Sequence, residues 1–283
     1  MAQFTNQAQL RYGDTVANSN IAVGEILEVL AVAKKAVKDT YRQKDAVTYI
    51  ISIVNSGTTA VTGVTISDNL GEYAYGTGTL VPLDYVAGTT RYYVNGVLQA
   101  TPAVTAGPPL AITGITIPAG GNVIVVYEAD LNQYAPLGEE AEITNTVTVS
   151  GGGITPITAQ ETIQVEMEPL LTITKSVSPV PVTENGTLTY TFVIQNFGNT
   201  AATVETGAVV TDTFDPILKD LTVSYNGTAW TEPTEYTYNE TTGEFATVAG
   251  QITVPAATYT QDAETGAWIV TPGVGTLIVT GTV

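Results

Sequence analysis

The sequence contains no cysteine and no histidine, and its nine basic residues face twenty-seven acidic ones, for a formal net charge of −18. Without cysteine or histidine a chain has no disulfide framework, no thiolate or imidazole nucleophile, no Ser-His-Asp triad and no ordinary zinc or haem site. The excess of negative charge repels the phosphates of nucleic acids and of anionic membranes. We therefore expect no nucleic acid and no membrane among the partners, and no metal or cofactor.

A secretion signal is also missing at the start of the sequence, MAQFTNQAQL, which has neither a basic beginning nor an apolar core of signal-peptide length. No later window is long and apolar enough to span a membrane as a helix. We therefore expect that the protein does not use the Sec route. The absence of cysteine fits a surface or extracellular protein of a bacterium that does not rely on oxidative cross-links.

The residues that are abundant indicate an all-β protein. Hydrophobic residues make up 44% of the chain and charged residues 13%, which is ample for packed cores. Valine, isoleucine and alanine alternate with threonine and tyrosine, as in strands that are half buried on a pleated sheet. The length of 283 residues allows two domains of ordinary size.

One pattern occurs twice along the chain. A lysine-containing strand, LAVAKKAV or LTITKSV, precedes VTYIISIVNSGTTA in the first copy and LTYTFVIQNFGNTA in the second. GVTISDNL then matches AVVTDTF, and ITIPAGGNVIVVYEA matches ITVPAAT, followed after an inserted hairpin by GTLIVTGTV. Each copy predicts an immunoglobulin-like antiparallel β-sandwich. We place the two sandwiches at residues 30–150 and 169–283, with a linker at residues 151–168.

The two copies differ at their ends. The first copy continues into a strand, ITNTVTVS, in which Asn145 follows a threonine, whereas the second copy lacks a matching final strand. A match lies instead near the amino terminus, where FTNQAQLRYGD carries the same Thr-Asn pair at Asn6. The spacing agrees as well, because Asn6 precedes Lys34 by 28 residues and Asn145 precedes Lys175 by 30.

These observations suggest that residues 1–17 form a donor strand, followed by a linker at residues 18–29. A sandwich without its final strand exposes unpaired edges, which a strand from a neighbour can fill by β-augmentation. Because the donor and the groove are different surfaces, the contact generates an open head-to-tail polymer. Two alternatives remain at this point: a chain trimmed at its carboxyl end, and an amino-terminal segment that folds back into its own second domain.

The two-residue period of strands places six polar residues on apolar faces. They are Lys34, Asp68, Asn145, Lys175, Asp212 and Asn6. Burying a charge costs several kcal/mol unless it is paired or neutralised. One interpretation is therefore a buried Lys-Asp ion pair with a hydrogen-bonded asparagine, and another is a bulge that exposes the lysine.

A third interpretation is reactive, namely an autocatalytic isopeptide bond. Burial lowers the pKa of a lysine and raises that of a carboxylic acid, so that shared protons leave a neutral amine beside a neutral acid. The amine attacks the carbonyl carbon of the asparagine side chain. The acid stabilises the oxyanion and moves protons so that ammonia leaves. Rigid strands hold the reactants in place for this single turnover.

The pattern LTITKSVSP, VTENGTLTYTFVIQNFGNTAA and VVTDTFDP, with ITNTVTV in the first copy, resembles the DUF11 repeat of bacterial and archaeal surface proteins. That repeat is similar to the isopeptide-forming sandwiches of Gram-positive pilins and adhesins. The resemblance implies an intramolecular bond between Lys34 and Asn145 with Asp68 as proton shuttle. Lys175 and Asp212 would form a second set, completed by Asn6 of the next subunit.

Paired repeats in a chain without a signal peptide are similar to DUF11 proteins of clostridial spore appendages, which are assembled in the mother cell. The resemblance therefore implies a structural subunit of a spore or surface fibre, with itself and other appendage proteins as partners. A monomeric adhesin or ligand-binding module is the alternative. An enzyme with an external substrate is not expected, because the cross-linking reaction occurs once per site.

Overall fold

The computed structural model describes residues 2–26 and 28–283, in an amino-terminal segment followed by two β-sandwich domains. The amino-terminal segment contains four short strands: β1 (Ala2–Asn6), β2 (Gln9–Tyr12), β3 (Thr15–Asn18) and β4 (Ala22–Ile26). They pair as one long antiparallel hairpin, β1 with β4 and β2 with β3. Within the described residues, the structure contains no helix with the length and apolar character needed to cross a membrane.

The first domain has two large sheets packed on one core, and a small sheet formed by two short strands. Its strands are β5 (Leu30–Ala36), β6 (Thr40–Tyr41), β7 (Ala46–Asn55), β8 (Val61–Asp68), β9 (Tyr73–Tyr75), β10 (Gly78–Leu80), β11 (Leu83–Tyr85), β12 (Arg91–Val94), β13 (Val97–Leu98), β14 (Ala103–Thr105), β15 (Leu110–Ile117), β16 (Asn122–Leu131), β17 (Glu142–Gly151) and β18 (Ile157–Val165). One large sheet has the order β13-β12-β16-β7-β5, the other has the order β14-β15-β8-β17-β18-β6, and the small sheet pairs β9 with β10. Alternate residues of β7, from Val47 to Ile53, are buried between the sheets, as the sequence alternation predicts.

The second domain repeats most of this arrangement. Its strands are β19 (Leu171–Ser178), β20 (Thr187–Asn196), β21 (Thr211–Thr213), β22 (Lys219–Tyr225), β23 (Thr228–Trp230), β24 (Tyr236–Tyr238), β25 (Glu244–Thr247), β26 (Thr258–Gln261), β27 (Trp268–Thr271) and β28 (Gly273–Thr282), with a 3-10 turn at Val204–Thr206. The order β19-β20-β28-β22 reproduces β5-β7-β16-β12, and β21-β25-β24 reproduces β8-β15-β14. The chain is thus all-β, with tandem immunoglobulin-like sandwiches, as predicted.

The strand β18 corrects the predicted linker at residues 151–168. This strand pairs with β17 along its length and belongs to the second sheet of the first domain. Gly151, Gly152 and Gly153, which suggested a linker, form the hairpin turn and all have positive φ angles. At Gly151 a Cβ atom would lie 2.6 Å from the carbonyl oxygen of Gly63, so the close approach of β17 to β8 requires glycine.

The amino-terminal predictions need the same correction. The donor segment was expected to be one strand at residues 1–17, but it contains β1, β2, a turn and most of β3, and the expected linker at residues 18–29 contains β4. Residues 1 and 27 lie outside the described residues. In the second domain, the described residues include no counterpart of either β17 or β18. Within the described residues, the part of the first domain that has no counterpart at the end of the second is thus two strands, β17 and β18, rather than the predicted single strand.

The hairpin of β26 and β27 connects the two domains. Tyr259, Trp268 and Val270 from this hairpin pack against the core of the first domain. The backbone N–H of Trp268 donates to the carbonyl of Gln133 at 2.9 Å, and the Tyr75 hydroxyl donates to the carbonyl of Asp262 at 2.7 Å. This hairpin, which appears in the sequence as an insertion in the second repeat, therefore forms part of the domain interface.

Candidate functional site

Three of the predicted site residues meet in the core of the first domain. Lys34 lies on β5, Asp68 ends β8 and Asn145 lies on β17, so both sheets contribute to the cluster. Lys34 is 2% exposed, and Asp68 and Asn145 are fully buried. Strand parity therefore placed all three correctly, and no bulge exposes Lys34.

Short polar contacts join the three side chains through a fourth residue, Tyr127. Lys34 Nζ lies 2.5 Å from Asp68 Oδ2, and the Tyr127 hydroxyl donates to the same oxygen at 2.6 Å. Asn145 Nδ2 in turn donates to the Tyr127 hydroxyl oxygen at 3.1 Å. The carboxylate is fixed from the other side, because the backbone N–H of Leu70 donates to Asp68 Oδ1 at 3.0 Å. The phenol thus connects the acid to the nitrogen of the asparagine amide.

The surroundings of the cluster favour neutral groups. Burial lowers the pKa of Lys34 to about 8, although the attraction of Asp68 opposes this shift. Lys34 Nζ also lies 4.7 Å from the centre of the Tyr49 ring. Burial raises the pKa of Tyr127 well above its ordinary value, so its hydroxyl keeps its proton and remains a donor. A small change in proton position is therefore sufficient to produce an uncharged amine.

The carbonyl oxygen of Asn145 is a buried acceptor without a hydrogen-bond partner among the described residues. Leaving such a group unsatisfied costs about 1–3 kcal/mol. Buried polar atoms without partners are uncommon in folded proteins, and each needs an explanation. The buried hydroxyl of Tyr49 beside the cluster also has no partner, but the oxygen of Asn145 is distinguished because it belongs to the carbonyl group that a lysine amine would attack.

The second domain contains the same lysine and aspartate in a more open setting. Lys175 on β19 forms an ion pair with Asp212 on β21, and its ammonium lies 4.6 Å from the centre of the Tyr190 ring. The side chain of Lys175 is 41% exposed and that of Asp212 17% exposed, whereas both members of the first pair are fully buried. The prediction that Lys175 is buried is wrong for the single chain, because no described strand covers β19.

Asn6 is separated from this pair. It lies at the end of β1, opposite Ala22 of β4, and its side chain is exposed. The prediction that it faces an apolar core is therefore wrong for the isolated chain, where the described part of the amino-terminal hairpin packs on neither sandwich. The structure brings together Lys34, Asp68 and Asn145, and it brings together Lys175 and Asp212, but not Asn6.

Tyr127 is the functional candidate that sequence reasoning missed. It lies in phase with the buried residues Val123 and Val125 on β16, and it is opposite Tyr49 on β7. The corresponding residue of the second domain is Val279, which is opposite Tyr190 on β20. The phenol that bridges acid and amide is thus specific to the first domain. This difference between the repeats could have been found by aligning VIVVYEA with GTLIVTG.

The repeated Asn-x-Gly motif has a structural role. In the first domain Asn55 is fully buried, its Oδ1 accepts from the backbone N–H of Gly57 at 2.9 Å and its Nδ2 donates to the carbonyl of Ile117. Asn196 makes the matching contact with Gly198 at 2.9 Å. Each asparagine fixes the turn between sheets, so the motif marks the fold of the repeat rather than a reactive group.

Comparison with protein-family models and with curated sequences yields no match. The resemblance to DUF11 repeats therefore stays a prediction.

Among solved structures, the chain is similar to the major pilin subunit BcpA of Bacillus cereus, with 9% identity, a TM-score of 0.38, and coverage of 96% of this chain and 73% of that one. It is similar to the major pilin GBS80 of Streptococcus agalactiae, with 12% identity, a TM-score of 0.35, and coverage of 87% of this chain and 91% of the fragment. It is also similar to the pilus backbone RrgB of Streptococcus pneumoniae, with 14% identity, a TM-score of 0.34, and coverage of 86% of this chain and 54% of that one. The chain therefore spans about half of that protein. Likenesses of this size carry no argument about function.

Proposed function

We propose that the chain is a structural subunit of a head-to-tail polymer, a spore appendage or surface fibre, that is completed by donor strands and strengthened by Lys-Asn isopeptide bonds. The observation that carries the proposal is the repeated lysine and aspartate pair, buried beside an asparagine in the first domain and open to an incoming asparagine in the second. The protein needs no cofactor for this role. Its only chemistry is one bond formation per site.

In the first domain the reacting groups are Lys34 and Asn145. A proton passes from Lys34 to Asp68, and the neutral Nζ attacks Cγ of Asn145. The new bond joins Nζ to Cγ, and the bond from Cγ to Nδ2 breaks. Tyr127 gives its proton to the departing nitrogen and regains one from Asp68, because its hydroxyl contacts both groups. The nitrogen of the new bond then gives its surplus proton to Asp68, so the products are an amide cross-link, one molecule of ammonia and a protonated Asp68.

In the second domain the asparagine comes from another subunit. Asn6 of the incoming amino-terminal segment would take the place that Asn145 has in the first domain, beside Lys175 and Asp212. Docking would also cover the exposed lysine, so the desolvation that activates it would arise during assembly. The residue at the position of Tyr127 is Val279, and we therefore expect the joint to cross-link more slowly than the first domain.

Denaturing electrophoresis of the assembled protein tests this proposal. We expect a ladder of covalent multimers after boiling, because amide bonds survive detergent and reductant. Asn6→Ala and Lys175→Ala should each reduce the ladder to monomer. Lys34→Ala is the matched control, since it removes only the bond within the first domain and should leave the ladder intact. A monomer at every concentration, with one ammonia lost, would instead support a cross-linked monomeric adhesin.

The pH dependence of stability provides a second test within the first domain. In an Asn145→Ala chain, Lys34 stays an amine with a pKa of about 8, against 10.5 for the ordinary side chain. Between these values the unfolded chain holds a proton that the folded chain has lost, so rising pH favours folding. We expect the free energy of unfolding to increase by about 1.5 kcal/mol from pH 8 to pH 9.5, measured by urea unfolding.

Two controls make the pH result specific. Adding Lys34→Met to the Asn145→Ala chain should remove the increase, because the titrating amine is then absent. The native chain should also lack the increase, because an amide nitrogen does not titrate in this range. An equal increase in the native chain would show that Lys34 is still a free amine and would contradict the first-domain cross-link.

A further inference from the structure

The hairpin of β17 and β18 covers both reactive strands in the first domain. Strand β17 pairs with β8, with Val147 opposite Asp68, and thereby extends the sheet beyond the aspartate. Strand β18 lies against β5, where Glu161 accepts from Lys35 Nζ at 2.8 Å and from the backbone N–H of Ala36 at 3.3 Å. The lysine strand is therefore covered by the second strand of the hairpin.

Both corresponding surfaces of the second domain are open. Strand β21 pairs with β25 on one edge, and none of the described residues pairs with its other edge. On β19, every residue after Leu171 is exposed. Ile173 is 51% exposed and Val177 is 39% exposed, although both are apolar. A pocket of about 160 Å³ lies between β19 and residues 208–210, lined by Ile173, Val209 and other side chains of the two segments. One incoming strand would pair with β21 but would leave β19 open.

The amino-terminal hairpin has the complementary properties. It is an isolated two-stranded ladder, which is marginally stable alone in water. Its large apolar side chains are roughly half exposed or more: Phe4, Leu10, Tyr12, Val16, Ile21 and Val23. An exposed apolar ladder of this kind is typical of a segment that is buried on assembly.

We propose that the donor is the whole hairpin, residues 2–26 of a second copy, and that its second strand covers β19 as β18 covers β5. This inference rests on the proposed head-to-tail assembly and specifies its interface. The two hairpins match in register where β1 pairs with β4, because Asn145 is opposite Glu161 and Asn6 is opposite Ala22, each 16 residues further along the chain. Where β2 pairs with β3 the register shifts by one residue, because Leu10 is opposite Ala17. The expected pairing places Ala8 opposite Asp212 and Leu10 opposite Val210.

The side chains also match in size. In the first domain Ile143 is opposite Ile163, and both are buried. At the corresponding positions of the donor, Phe4 is opposite Gly24, and a Cβ atom on Gly24 would lie 2.3 Å from the Phe4 ring. One large ring and a glycine thus fill the space that two isoleucines fill in the first domain.

The charges change together as well. Lys35, next to Lys34, contacts Glu161 in the first domain. The residue next to Lys175 is Ser176, and the donor residue at the position of Glu161 is Ala22. A glutamate at position 22 would face the uncharged Ser176, and a lysine at position 176 would face the uncharged Ala22. The loss of both partners is expected if β4 lies against β19.

A cysteine pair tests this placement in a chain that has no cysteine of its own. The full chain carries Ala22→Cys and Ser176→Cys together with Lys175→Ala, so that no isopeptide bond forms at the joint. After cross-linking with a short bis-maleimide, we expect a ladder of multimers. A matched chain with Lys175→Ala, Ala22→Cys and Val97→Cys, whose second cysteine is exposed in the first domain, should give no ladder.

The outcomes separate this inference from the proposed assembly. No cross-linking by the cysteine chain, while the native chain still forms its boiling-resistant ladder, would overturn the two-strand donor and leave a single-strand donor standing. A cross-linked monomer of altered mobility would overturn the second copy as the occupant, because the hairpin would then dock on its own chain. As a second readout, Lys175→Cys alone should react with maleimide at least tenfold more slowly in multimers than in monomers, because its counterpart Lys34 is only 2% exposed in the first domain.

Discussion

A chain carrying Asp68→Asn is expected to retain the ammonia that the native first domain loses. Removing a positioned general acid or base typically slows a reaction by about 10²- to 10⁴-fold. Asparagine keeps the size of Asp68 but can neither accept the lysine proton nor pass it to Tyr127. Intact mass and mass spectrometry of digests should show a free Lys34 and a free Asn145 after an incubation in which the native chain reacts completely.

Two further variants locate the effect. Asp84→Asn changes an exposed aspartate on β11 of the same domain, and it should cross-link at the native rate. Tyr127→Phe keeps the ring but removes the hydroxyl that contacts Asp68 and Asn145, so we expect an intermediate rate that stays above that of Asp68→Asn. Full cross-linking of a folded Asp68→Asn chain would contradict the proposed proton route and leave the lysine without its acid.

The sequence predicted the first-domain cluster because its residues lie on regular strands. Lys34, Asp68 and Asn145 alternate with apolar neighbours, and the two-residue period of a strand then fixes the face of each side chain. Burial of all three residues followed from local pattern alone, without knowledge of the connections between strands.

The same reasoning failed where tertiary context decides. The glycines after β17 suggested a linker, yet a hairpin turn with positive φ angles uses the same residues. Tyr127 was missed because a tyrosine in an apolar strand is usually explained by packing, and only its contacts with Asp68 and Asn145 distinguish it. The exposure of Lys175 depends on whether another strand covers β19, and not only on the face of β19 to which the two-residue period assigns it.

The two wrong linker assignments share one cause, and it bears on assembly. Residues 151–168 and 18–29 were both assigned as linkers, and both contain the second strand of a hairpin, β18 or β4. In the first domain β18 is covered by contacts with β5, β6 and β17, whereas the described contacts of β4 are with β1. The proposed donor hairpin thus precedes the first domain along the chain in the same way as the hairpin of β17 and β18 precedes the second domain.

Replacing Lys34 by methionine is expected to destabilise the first domain by about 3 kcal/mol, while Lys175→Met changes the second domain by less than about 1 kcal/mol. Both substitutions are made in an Asn145→Ala chain, so that no cross-link contributes. Without Lys34 the buried carboxylate of Asp68 keeps only its contacts with Tyr127 and Leu70. Lys175 is already 41% exposed, and water replaces it readily. Native-state hydrogen exchange of β16 and β28 reports the two domains separately.

The double substitution Lys34→Met with Asp68→Leu tests whether the buried ion pair stabilises the fold. Replacing a buried ion pair by apolar side chains is often neutral or stabilising, whereas removing one partner is costly. We therefore expect the double variant to recover at least about 2 kcal/mol of the loss in the single variant. That recovery would mean that the ion pair of Lys34 and Asp68 adds little net stability. A role of the two residues in bond formation would then explain their presence in the core better than a role in stability. If the double variant were instead less stable than Lys34→Met alone, the buried ion pair would be a structural element in its own right, and its burial would no longer support the proposed chemistry.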